Sequence, residues 1–282
     1  MFLRIATLAQ LGRLPILCPA SREFASLLNI LRKLRSKHLQ DATQGQENAN
    51  EIKPESPFFA IGDIHGRADL LRDLLAQINP ANDHKLVFLG DYVDRGPDSA
   101  DTLNQLFELA KDKPEDVICL MGNHEQMLID FIDDPLWRGS NWLRNGGSAT
   151  LASFGIKGVP VRPEPDCAIE ASVALERALP RGMLEWLRSL PLHWNSGNIW
   201  CVHAAMDPAT PPRAQRTKTM LWGHPNFLSV PRNDGVCVVH GHTAIDDPTN
   251  MNSRIAIDTG AYRTDRLTAA HVTTGQCRFL ST

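Results

Sequence analysis

Five short blocks of this chain carry side chains suited to binding metal ions. They are Gly62-Asp63-Ile64-His65-Gly66, Gly90-Asp91-Tyr92-Val93-Asp94-Arg95-Gly96, Gly122-Asn123-His124-Glu125, Cys201-Val202-His203-Ala204 and Gly241-His242-Thr243. Each follows a short apolar run that reads as a buried strand. Asp63, Asp91, Asn123, His65, His203 and His242 are enough donors for two ions. Carboxylate and imidazole together suit Mn, Fe or Zn, and no thiolate stands at a ligand position of the blocks. On an extended chain Asp63 and His65 would point the same way and grip one ion. Asp91 could bridge both ions through its two oxygens. Asn123, His203 and His242 would serve the second. Two such ions sharpen a water into a nucleophile for phosphate-ester hydrolysis, so no Ser or Cys nucleophile is required.

Asp94, Arg95 and His124 lie in the same turns but outside that ligand set. A histidine beside a carboxylate can protonate a departing oxygen, and a guanidinium can hold phosphate oxygens. Taken singly, each block has a plainer reading: a turn, a helix cap for Asn123, a salt bridge for Arg95, a hydrogen-bonded core histidine for His203 or His242. Polar residues placed at the ends of several apolar strands would each need a partner if they bound nothing. Their recurrence at strand ends therefore favours a shared site.

The elements that must position these blocks alternate. Phe58–Ile61 reads as a strand, 69–78 as a helix, 86–89 as a strand, 99–110 as a helix and 117–121 as a strand. That rhythm predicts parallel strands with helices on their faces, and ligands then bind at the strands' carboxyl ends. Residues 125–195 read as mostly helical and irregular. Later runs at 198–202, 236–239, 254–257 and 267–272 look like a second set of strands. The expected fold class is α/β: two sheets packed as a sandwich with helices outside.

The chain has 282 residues, 43% hydrophobic and 22% charged, ample for a packed core. A net charge of −3 gives no overall bias toward nucleic acid, and no sequence-specific nucleic-acid partner is expected. Six scattered Cys without a Cys-x-x-Cys pair suit a reducing compartment, and a cytoplasmic location is expected. Residues 1–40 hold seven Lys/Arg against one Glu. Within them Phe24, Leu27, Leu28, Leu31 and Leu34 recur at helical spacing beside Arg32, Lys33 and Arg35. A helix docked on its own domain or a free arm is the first expectation. Weak contact with an anionic membrane surface through residues 22–39 is the alternative. Residues 40–56 read as a polar linker. The expected division is a basic extension and linker over 1–56 and a catalytic domain over 57–282.

The five blocks resemble the signature of the phosphoprotein phosphatase family of calcineurin-like metallophosphoesterases, and most closely its bacterial and phage-type serine/threonine phosphatase branch. Trp142-Leu143-Arg144-Asn145-Gly146-Gly147 and Asp258-Thr259-Gly260-Ala261 resemble further blocks of that branch. The likeness runs from about Phe58 to Val272. It implies a β-sandwich flanked by helices, a dinuclear centre usually assayed with manganese, and direct attack by a metal-bridging hydroxide. Carried over, Asp63, His65 and Asp91 would hold one ion, and Asp91, Asn123, His203 and His242 the other. His124 would be the general acid, supported by Asp94, with Arg95 as phosphate clamp. His240 matches no ligand position and reads as structural. His224, in Leu221-Trp222-Gly223-His224, stands where such enzymes usually carry a phosphate-binding Arg. His224 would bind phosphate less firmly than a forked guanidinium, and Arg144, Arg213 or Arg216 could take that part. The implied reaction is hydrolysis of phosphoserine or phosphothreonine on proteins, or of a small phosphoester. The alternative is symmetrical cleavage of dinucleoside tetraphosphates or capped RNA ends. Asp94 favours the former, because the nucleotidase branch tends to carry Ala at that place.

Overall fold

The structure is a computed structural model that describes residues 51–78 and 84–282. The basic segment at 22–39 and most of the expected linker lie outside the described residues. Residues 51–56 do not behave as a linker. Ile52 is buried in the core beside Phe58, and its carbonyl accepts from the Gly275 amide at 2.8 Å. The Lys53 and Glu55 amides donate to Asn198 Oδ1 at 2.8 Å and Ser196 Oγ at 2.9 Å. The fold thus begins ahead of residue 57, because the buried Ile52 and Pro54 and hydrogen bonds to Ser196, Asn198 and Gly275 fasten this polar stretch down.

Ten strands and nine α-helices follow in chain order among the described residues. They are β1 (Phe58–Ile61), α1 (Ala68–Gln77), β2 (Lys85–Phe88), α2 (Ser99–Asp112), β3 (Val117–Cys119), α3 (Asn123–Asp133), α4 (Pro135–Trp142), α5 (Ser148–Ser153), α6 (Pro165–Ala178), α7 (Met183–Ser189), β4 (His193–Ser196), β5 (Ile199–Val202), α8 (Thr217–Trp222), β6 (Cys237–His240), β7 (Thr249–Met251), β8 (Arg254–Ala256), α9 (Ala261–Thr264), β9 (Thr268–Thr273) and β10 (Gln276–Ser281). One sheet has the order β10-β9-β1-β2-β3 and the other β4-β5-β6-β8-β7. Within them β1, β2 and β3 are parallel, as are β5, β6 and β8.

Alternation along each strand explains why the runs read as continuously apolar. Phe58, Ala60, Val87 and Leu89 face Ile199, Cys201, Val239 and Ile255 in the core between the sheets. The intervening Phe59, Ile61 and Phe88 face the other way, onto the helices, with Leu71, Leu74, Leu103 and Leu106. On the second sheet Trp200, Val202 and Val238 pack outward against Met206, Met220 and Phe227. Strands buried on both faces lose the polar alternation that one-sided sheets show.

The run at 267–272 does not join the second set of strands. As β9 it pairs antiparallel with β1, with Phe58 opposite Val272, and it carries β10 at the sheet edge. An antiparallel strand needs no crossover helix, so the alternation of strands and helices could not place it.

Candidate metal centre

Every block sits just past the carboxyl end of a parallel strand: Asp63 after β1, Asp91 after β2, Asn123 after β3, His203 after β5, His242 after β6. Asp258 occupies the same place after β8. All six are buried or, for His242, half-buried. The turns are tight. His65, Asp91, Asp94, Arg95 and His242 all have left-handed backbone, with φ of 47°, 54°, 73°, 69° and 62°. Non-glycine residues in this region are uncommon and cluster at functional sites. The chain therefore does not run extended through Asp63 and His65. The left-handed turn at His65 sends its ring toward Asp91, while the Asp63 carboxylate accepts from the His242 amide at 3.0 Å.

Glycine makes these approaches feasible. A Cβ at Gly241 would collide with the Asp63 carboxylate, and one at Gly122 with the backbone and side chain of Asp91.

Two clusters form around Asp91: His65, Asp91 and His124, and Asp91, His203 and His242. Asp91 Oδ2 is 3.5 Å from His65 Nε2, and Oδ1 is 3.3 Å from His203 Nε2. The other ring nitrogen of each of these histidines donates to a carbonyl: His65 Nδ1–H to Val93 O at 2.8 Å, His203 Nδ1–H to Leu89 O at 3.0 Å. Their Nε2 lone pairs therefore face Asp91. Burial pushes His65 down to about 3 and lowers His203, so both rings are neutral donors. Burial and then His203 push His242 down to about 4. His203 Nε2 is 2.8 Å from Asn123 Oδ1, and His242 Nδ1 is 3.2 Å and 3.0 Å from those two atoms. At most one hydrogen is available to three mutually close electron-pair donors. Burial, then Asp258 and Asp91, raise Asp63 well above the usual carboxylate range. This acid-rich, lone-pair-lined pocket fits divalent cations in chemistry and number of donors.

Beside it, His124 Nδ1–H donates to Asp94 Oδ2 at 2.6 Å. Asp94 is fully enclosed. Trp142 Nε1–H donates to it at 2.9 Å, and Thr150 Oγ1 at 2.7 Å. Burial raises Asp94 against the opposing pull of the His124 hydrogen bond. Burial works to lower His124, but Asp91 and the bond to Asp94 outweigh it, and the net shift is upward. Arg95 donates one Nη to His65 Nε2 at 2.9 Å and the other to His124 Nε2 at 3.0 Å. Its guanidinium lies 5.0 Å from the centroid of the Tyr262 ring.

The remaining expected residues lie farther out. His224 borders a cleft of about 340 Å³ shared with His242, Thr243 and Trp222. Its Nδ1 accepts from the Asn226 amide at 3.3 Å, and its Nε2 faces Asp207 Oδ2 at 3.9 Å. A second cleft joins His224 to Arg216. Arg144 is exposed on Leu143–Gly147, the segment whose Gly146 carbonyl accepts from the Arg95 amide at 3.3 Å. His240 is buried, and its Nε2 has no hydrogen-bond partner among the described residues. Sequence reasoning assigned no role to Trp142, Thr150, Tyr262, Asp258 or Glu125. Trp142, Asp258 and Glu125 stood in motifs already quoted, which was the available signal. Thr150 and Tyr262 had none.

The family model for calcineurin-like phosphoesterases matches residues 56–254. The chain belongs to the calcineurin-like phosphoesterase family. Members of this family work through a dinuclear metal centre, consistent with the two clusters that share Asp91. The chain is 31% identical over 154 residues to a symmetrical bis(5'-nucleosyl)-tetraphosphatase of Pseudomonas fluorescens, covering 53% of this chain and 42% of that protein. It is 27% identical over 236 residues to an asymmetrical bis(5'-nucleosyl)-tetraphosphatase of Oceanobacillus iheyensis, covering 74% and 86%. It is 41% identical over 81 residues to the serine/threonine-protein phosphatase 6 catalytic subunit of Caenorhabditis elegans, covering 29% and 24%. The match thus spans less than half the length of the first and third of these relatives. Among solved structures, the fold resembles a putative diadenosine tetraphosphatase at TM-score 0.57 and 21% identity, covering 83% of this chain and 98% of that one. It also resembles a serine/threonine phosphatase of Saccharomyces cerevisiae at 0.54 and 17%, covering 93% and 96%.

Proposed function

We propose that this phosphoesterase hydrolyses phosphoserine and phosphothreonine on proteins. The observation that carries this reading is the enclosed His124–Asp94 pair at 2.6 Å, whose His124 also belongs to one of the two Asp91-centred clusters. Asp63, His65 and Asp91 would hold one divalent ion, and Asp91, Asn123, His203 and His242 the second, with manganese the first choice. The ions supply charge neutralisation and an activated water.

The chain's own residues do the rest. Arg95 moves its two donors from the imidazoles to the phosphoryl oxygens, where a forked guanidinium matches their geometry. That frees Nε2 of His124. Asp94 holds the Nδ1 proton, so the freed Nε2 is the nitrogen that takes up a proton from solvent and carries it as the transferable one. When the phosphorus–oxygen bond to the alcohol breaks, the departing oxygen takes that proton. His224, in the cleft beside His242, and Arg216, in the second cleft that His224 also lines, would contact the rest of the substrate. Free thiols at Cys119, Cys167, Cys201, Cys237 and Cys277 support a reducing, cytoplasmic setting. No helix among the described residues is long and apolar enough to cross a membrane.

A second reading keeps the centre and changes the substrate to a dinucleoside tetraphosphate. The likeness to the Oceanobacillus protein, which extends along most of both chains, favours it. A panel of phosphopeptides and dinucleoside tetraphosphates, assayed with manganese and with chelator, decides between them. Faster turnover of phosphopeptides is expected; turnover of the dinucleotide alone overturns the first reading.

A further inference from the structure

The second residue after Asn123 in the third block, Glu125, is fully buried at the start of α3. Its carboxylate points back across the strand ends. Oε2 accepts from the amides of Asp91 at 2.8 Å and Gly122 at 3.0 Å. Oε1 accepts from those of Tyr92 at 2.7 Å and Val93 at 3.3 Å. A carboxylate has about four lone-pair sites, and each meets an N–H here.

The geometry points to Glu125 as a positioning residue of the metal centre. It acts through Asp91, and the inference rests on the metal reading above. A left-handed φ of 54° at Asp91 is strained backbone. Three consecutive amides of that turn are clamped by one carboxylate. The same turn then holds the first block: the Asp91 carbonyl accepts from the amides of Ile64 at 3.1 Å and His65 at 2.8 Å, and the Tyr92 carbonyl from Gly66 at 2.8 Å. The α3 end of the chain closes too, because the His124 amide donates to Asp91 Oδ1 at 3.1 Å. Through one turn Glu125 therefore registers Asp63–His65, Asp91 and Asn123–His124 against one another. The carboxylate is fully buried.

Glutamine cannot substitute. One of its two ends is an NH2 group, which would face two N–H donors that the carboxylate now satisfies. Outer partners of metal ligands commonly carry a 10- to 100-fold effect on metal affinity.

The test is calorimetric titration of metal-free protein with Mn²⁺, using wild type, Glu125→Gln and Leu175→Ala. Leu175 is a buried core residue of α6 and serves as a stability control. Glu125→Gln is expected to weaken binding of at least one ion by about tenfold or more. Leu175→Ala, although lower in Tm, is expected to bind as wild type does. Wild-type affinity and stoichiometry in Glu125→Gln overturn the inference, and so does equal weakening in both variants, which would mark a purely structural role. If Glu125→Gln does not fold, Glu125→Asp keeps the charge but shortens the reach; unchanged affinity there likewise overturns it. A wild-type protein that takes up no Mn²⁺ defeats the metal reading itself and is recognised separately.

Discussion

Nε2 of His203 and Oδ1 of Asn123 lie 2.8 Å apart with no hydrogen between them to share. The Nδ1 proton of His203 is committed to the Leu89 carbonyl, and the amide oxygen of Asn123 only accepts. Two electron pairs at that distance repel unless a cation sits between or beside them. His203→Ala or Asn123→Ala is therefore expected to lower bound metal from two ions per chain toward one, read by elemental analysis after gel filtration.

Removal of metal altogether should be visible in stability as well as in activity. A ligand that binds only the folded state at about 1,000 times its Kd stabilises by about 4 kcal/mol. Addition of Mn²⁺ to chelator-treated protein is expected to raise Tm by several degrees and restore phosphoesterase activity together. Recovery of full activity in excess chelator would contradict the site.

His124→Asn removes the proton donor without touching the proposed ligands. A drop in kcat of about 10²- to 10⁴-fold is the usual scale for a general acid. Metal content is expected to stay at the wild-type level. Equal turnover in the variant would remove His124 from the reaction.

Asp94 keeps the proton on His124, so Asp94→Asn should change pH dependence in a defined direction. The raised His124 value reflects Asp91 and the bond to Asp94, working against burial. Without the Asp94 charge that value falls. The acid form is then lost at lower pH, and the alkaline limb of the kcat profile moves toward acid. A limb that stays in place, or moves to higher pH, would assign that ionisation elsewhere.

Burial pushes the Cys237 and Cys277 thiols up to about 12. Thiolate is the reactive form, and raising the value means it appears only as pH approaches that figure. Neither residue is expected to be alkylated at about pH 8 in the native state, and both should react once the protein is unfolded in urea. Peptide mass mapping reads each site.

The chemistry of the site was legible because it rests on side-chain types held in local blocks. Asp63, His65, Asp91, Asn123, His203 and His242 each stood one to four residues beyond an apolar run, and that placement follows from strand length and turn composition. The parallel strands β1, β2 and β3 were legible for the same reason, through the alternation with α1 and α2. Three strands escaped: β4 (His-Trp-Asn-Ser), β7 (Thr-Asn-Met) and β10, whose burial is mixed and whose composition lacks a clean apolar run. Edge positions do not demand one.

What the amino-acid order determined by itself was the inventory: which donors exist, and that each follows a strand buried on both faces. What only the tertiary structure decided was how they meet. The left-handed turn at His65 aims its ring at Asp91, and Asp63 is brought against the amide of His242, 179 residues along the chain. Trp142 and Thr150 close around Asp94, and Glu125 reaches back to three amides of the Asp91 turn. The physical reason is that strand periodicity and turn chemistry are local. The pairing of β9 with β1 and the convergence of strand ends from two sheets depend on packing between segments far apart in the chain.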